Sequence, residues 1–121
     1  MQVITAPERK PITNQSIFLA GTIDDGKSED WQSKLIKEFS EYNITILNPR
    51  RNNWGDLSDN ELRKQITWEL DHLEKADIIF MYIIGTSKSP ISLLEMGIHI
   101  KDSKLIVVCE PEFYRYENVR I

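Results

Sequence analysis

The chain has 121 residues, 40% of them hydrophobic and 28% charged, with a formal net charge of −4. That length suits one domain with a real core, spanning residues 1–121, and leaves no room for a second. The acidic balance argues against a nucleic-acid polymer as partner, and no apolar run approaches the 18 or so residues that would span a bilayer. The opening residues lack a basic segment followed by an apolar one, so a cytoplasmic location is expected. The single Cys109 lies in an apolar run and reads as a small core residue.

Residues 1–15 are polar, contain Pro7 and Pro11, and read as an N-terminal arm or a loosely held strand. Ser16 to Ala20 is a short apolar run ended by Gly21, the pattern of a strand buried on both faces of a parallel sheet. Residues 21–26 form a glycine-bounded turn. Ser28 is placed to cap a helix over 29–42, in which Trp31, Leu35, Phe39 and Tyr42 recur at helical spacing. A second strand, Ile44 to Leu47, stops at Asn48-Pro49 and leads into a polar loop, 50–56, that contains Arg50, Arg51 and Trp54.

Ser58 and Glu61 form a capping box, and Leu62, Ile66, Leu70 and Leu73 carry a helix stripe to about Lys75. Glu69 lies on or at the edge of that stripe. Asp77 to Ile84 is the strongest strand in the chain and is expected at the centre of the sheet. The next helix opens with Ser89 as N-cap and Pro90 at its first position. Ile91, Leu94 and Ile98 mark its core-facing stripe, and Glu95 sits inside it. A carboxylate on an inward face costs several kcal/mol unless something pairs with it, so both glutamates are candidates for chemistry. Lys104 to Cys109 gives a further strand, and 118–121 is expected as a last edge strand.

The alternation of strands and helices indicates an α/β fold, a parallel sheet with helices on both faces. Ligands in such folds bind beyond the carboxyl ends of the strands, where 21–26, 48–56 and 85–89 should meet. The first turn has neither the Gly-x-Gly-x-x-Gly spacing of a dinucleotide fingerprint nor the Gly-Lys-Ser/Thr ending of a P-loop, so no redox cofactor is expected. Asp24 and Asp25 suggest a metal only together with Asp77, which begins its strand and belongs at the opposite edge; no metal is expected. His72 and His99 each stand alone on a helix and read as rim or core histidines. Trp54 offers a surface for stacking on a planar ligand or for packing over the core.

Four segments together resemble the nucleoside 2-deoxyribosyltransferase family, in particular its shorter deoxyribosyltransferase-like branch. They are Ser-Ile-Phe-Leu-Ala-Gly-Thr at 16–22, Asn-Pro-Arg at 48–50, Trp-Glu-Leu-Asp-His-Leu-Glu-Lys-Ala-Asp at 68–77 and Leu-Leu-Glu-Met-Gly at 93–97. The resemblance implies a flavodoxin-like (Rossmann-like) three-layer fold and cleavage of the bond between a base and 2-deoxyribose. It implies Glu95 as the nucleophile and places Glu69 at the position of a family acidic residue, which can hold the sugar hydroxyls or pass a proton to the departing base. The loops at the strand ends are expected to shape the pocket with Gly21, Thr22, Asp24, Asp25, Asn48, Arg50, Trp54 and Ser89. Six residues before the nucleophile, the transferases of the family carry Asp where this chain has Ser89. A Ser there is more similar to the related deoxynucleotide N-hydrolases, where it helps hold a 5′-phosphate. Those hydrolases carry Arg in the first loop where this chain has Asp24; Arg50 or Arg51 would have to compensate. The expected partners are a nucleoside or nucleotide and a free base, with a homo-oligomer implied by the resemblance. Transfer, hydrolysis and a silent nucleotide-sensing module stand as alternatives.

Overall fold

In the computed structural model, which describes residues 1–23, 26–51, 55 and 57–120, the sheet is built around the two most apolar runs of the chain. These are β2 (Ser16–Gly21) and β4 (Ile78–Ile83), paired in parallel from Ile17 opposite Ile78 to Gly21 opposite Tyr82. β3 (Thr45–Asn48) adds to the other side of β2, and β5 (Leu105–Cys109) adds to β4. β1 (Gln2–Thr5) lies outside β3, giving the all-parallel order β1-β3-β2-β4-β5. From β2 onward this is the flavodoxin-like order 2-1-3-4.

Helix α1 (Trp31–Glu38) covers one face, packing Trp31 against Leu19 and Ile46. Helices α2 (Asp59–Lys75), α3 (Pro90–His99) and α4 (Tyr116–Arg120) lie on the other. There Ile4, Phe18, Leu47, Ile79, Met81 and Ile83 pack with Trp68 and Leu73 of α2, with Leu93 and Met96 of α3 and with Val119 of α4. The result is a three-layer α/β fold in which the chain leaves β2 toward one face and β4 toward the other. The gap between their carboxyl ends is therefore the switch point where such folds bind ligands.

Of the two readings of residues 1–15, the strand holds for Gln2–Thr5, an edge strand whose Ile4 is fully buried. Several expectations are corrected. Helix α1 starts at Trp31 and ends at Glu38, and its N-cap is Asp30, whose carboxylate accepts from Ser33 N; Ser28 instead donates its hydroxyl to Ile23 O. Residues 116–120, where an edge strand was expected to begin at 118, form α4. The helix forms because Tyr116 and Val119, three apart, pack onto the core while Glu117 pairs with Arg120 one turn on. Asp77 lies where expected, at the amino ends of the strands, accepting from Ser16 N at 2.8 Å.

The largest correction concerns the two helix stripes. Leu62, Ile66 and Leu70 of α2 and Ile91, Leu94 and Ile98 of α3 are each 47–60% exposed. The buried face of α2 is instead Gln65, Trp68, His72 and Leu73, and that of α3 is Ser92, Glu95 and His99. Among the described residues, no helix is long and apolar enough to cross a membrane.

Candidate active site

Gly21 ends β2 with φ of +119° and lies against β4 so closely that a Cβ would stand 2.0 Å from Tyr82 O. Only glycine permits this approach. Thr22 follows with its amide bonded to Tyr82 O at 3.0 Å and its hydroxyl accepting from Ile84 N at 3.0 Å. That hydroxyl also joins Ser87 Oγ at 3.1 Å and Ser89 Oγ at 2.7 Å, and the two serines are 2.8 Å apart. Three buried hydroxyls thus tie the end of β2 to the start of α3. Ser89 occupies the N-cap position as expected, but in the left-handed region at φ 44°, and its side chain makes no cap bond because the triangle claims it.

Beside this junction lies a cavity of about 640 Å³, lined by Gly21, Ile23, Pro49, Ser89, Pro90 and facing residues of α2 and α3. Glu69 and Gln65 enter it from α2, and Glu95 and Ser92 from α3. The six exposed aliphatic side chains of the two helices form its rim. Glu95 is only 8% exposed. Burial raises its pKa from 4.5 to about 8, with the nearby charge of Glu69 adding to the rise. Burial raises Glu69 to about 7, opposed by a hydrogen bond from Gln65. Two acids held in one apolar cavity can share a proton near neutral pH, which gives the site an acid and a base together.

The other residues expected at the site fall in different places. Gly21 and Ser89 line the cavity, and Thr22 supports Ser89 from behind. Asn48 is not on the cavity wall; its side-chain oxygen accepts from Arg50 N at 3.0 Å. Arg50 is turned away from the cavity. Its guanidinium donates to Gly26 O, Ser28 O, Glu29 O and Gln32 Oε1 at 2.6–3.2 Å, so it pins the β2–α1 loop instead of facing a ligand. Asp24, Asp25 and Trp54 lie outside the described residues. Among those described, no three His, Cys, Asp or Glu gather as metal ligands.

Gln65 is a site residue that the sequence pattern did not single out, although its spacing carried the signal. It stands four residues before Glu69 on the same helix, so the two side chains share a face. Its Nε2 donates to Glu69 Oε2 at 3.1 Å and to Pro49 O at 3.0 Å.

Residues 14–113 match the sequence model of the family described as nucleoside 2-deoxyribosyltransferase like. Comparison with curated proteins gives no match.

Proposed function

The chain belongs to the nucleoside 2-deoxyribosyltransferase-like family, and from that premise we propose that its cavity cleaves the N-glycosidic bond of a 2-deoxynucleoside through a covalent intermediate on Glu95. The observation that carries the reading is the convergence of Glu69 and Glu95, from separate helices, on one apolar cavity. In the first step the pair reacts from its minority one-proton state, Glu95 ionised and Glu69 neutral, because burial raises Glu95 further than Glu69. A Glu95 carboxylate oxygen then bonds to the anomeric carbon as the bond to the base breaks. The electron pair of that bond leaves with the base nitrogen, and the carboxyl of Glu69 supplies a proton to the departing base. In the second step a new base, or water, attacks the same carbon and the Glu95 carboxylate is released. Glu69 takes the proton from the attacking group. Water exclusion by the aliphatic rim favours the base over water, and hence transfer over hydrolysis.

A nucleoside is favoured over a 5′-nucleotide because Arg50, the cation expected to meet a phosphate, is committed to carbonyl oxygens of the first loop. The hydroxyl of Ser89 at the cavity wall, backed by those of Thr22 and Ser87, then holds the sugar end through a neutral hydrogen bond. The cavity is completed by a second copy of the chain. Six half-exposed aliphatic side chains on two adjacent helices form a patch that an isolated protomer leaves in water. Gly97 lies exposed among them, and a Cβ added there would meet nothing within 4 Å. A glycine inside a helix costs about 1 kcal/mol, and close approach of another backbone accounts for it.

The deciding assay mixes the protein with thymidine and excess adenine. Deoxyadenosine is the expected product. Thymine with free sugar would assign hydrolysis instead, and unchanged thymidine that nevertheless binds would make the chain a sensor. Running deoxynucleoside 5′-monophosphates in parallel separates the N-hydrolase alternative.

A further inference from the structure

We infer that Gln65 is a positioning residue that fixes which oxygen of Glu69 carries its proton. Pro49 O can only accept, so the nitrogen of the Gln65 side chain must face it at 3.0 Å. That orientation directs the second N–H of the same group to Glu69 Oε2 at 3.1 Å. It also leaves Gln65 Oε1 buried without a hydrogen-bond partner among the described residues, a costly state for a carbonyl oxygen. The two donated bonds therefore define the position.

Because Oε2 of Glu69 receives an N–H, it is an acceptor in both ionisation states, and the proton of the neutral acid resides on Oε1. Pro49 is the first residue after β3, so the bond also fixes α2 to the end of the sheet. The ionisable group facing Glu69 across the cavity is Glu95 on α3. β2 contributes Ala20 and Gly21 to the wall, and the β3 end contributes Pro49, none of them ionisable. Arg50 and Arg51, which follow Pro49, are directed to the 26–32 segment and to Glu61. On α2 itself the cavity neighbours of Glu69 are Gln65 and aliphatic residues. No cation on these elements substitutes for the Gln65 bond among the described residues.

The catalytic meaning of this assignment rests on the glycosyl-cleaving reading above, whereas the proton's location does not. The test is a pH titration of the full chain carrying ¹³C-labelled glutamate carboxyls, with the Glu69 signal identified by its loss in Glu69→Gln. A bond to the ionised form lowers a pKa, so Gln65→Leu and Gln65→Met should each move the Glu69 midpoint upward by about one pH unit. The limb of the pH–rate profile assigned to Glu69 should move with it. In the parent chain one of the two Gln65 amide protons should shift through the same midpoint, a readout that survives if both variants fail to fold. An unmoved Glu69 midpoint in a folded variant, or amide protons indifferent to that titration, overturns the inference. If the parent chain shows no turnover, the functional reading fails, and the carboxyl and amide titrations still decide the role of Gln65.

Discussion

Glu95→Gln is expected to lose at least about a thousandfold in turnover while becoming more stable than the parent chain at alkaline pH. The loss follows from removing the nucleophile while keeping its shape. The gain follows from burial. In the folded chain the Glu95 pKa is raised from 4.5 to about 8. A raised acid pKa means that the folded state holds the proton more tightly than the unfolded one. The neutral form is therefore no burden below pH 4.5, and stability falls as pH rises from there through about 8. Above that range the parent holds a buried carboxylate at a cost on the order of 5 kcal/mol, which the amide avoids. Thermal melts at pH 4 and pH 9 should show little difference at the first and a rise of roughly 20 °C in the variant at the second. Retained turnover would reject the nucleophile, and equal melting at both pH values would place Glu95 in contact with solvent.

Leu94→Asp is expected to leave the protomer folded and to abolish both self-association and turnover. Leu94 is exposed in the single chain, so the substitution should change protomer stability by no more than about 0.5 kcal/mol. Across a twofold interface each of the six rim aliphatics appears twice. Roughly 1 kcal/mol for each newly covered half side chain gives about 12 kcal/mol, which offsets most of the range of about 4–15 kcal/mol for the association cost. Sedimentation should find the parent as a dimer and the variant as a monomer. Because Leu94 also lines the cavity, dilution of the parent provides the independent check: turnover per protomer should fall in step with the dimer fraction. Constant specific activity from a monomeric parent would show that one chain suffices.

Both glutamates were legible in the sequence because each interrupts a helical run of aliphatic residues, and carboxylates there demand an explanation. The strands were legible for a related reason. β2 and β4 are apolar on consecutive positions, a pattern that fits only the middle of a parallel sheet. Which face of a helix meets the sheet was not legible. The aliphatic stripe of α3 is more apolar than its buried face, where Ser92 and His99 flank Glu95, so periodicity selected the rim of the cavity as the core. Periodicity reports that an apolar surface is covered by something, not whether that is the same chain or another. Arg50 shows a second limit. Its place in a polar loop suggested a ligand contact, yet the carbonyl groups that occupy it lie more than twenty residues earlier and meet it only after β3 has paired with β2. In the tail, residues 118–121 carry too few periods to separate a strand from the helical turn of Tyr116–Arg120.

A covalent bond between Glu95 and the sugar is the central claim, and it can be caught directly. Acid quenching during turnover of thymidine, followed by peptide mass analysis, should find one deoxyribosyl group on the peptide that contains Glu95 and none in Glu95→Gln. Turnover accompanied by an unmodified Glu95 peptide, or by a deoxyribosyl group on another residue, would contradict it.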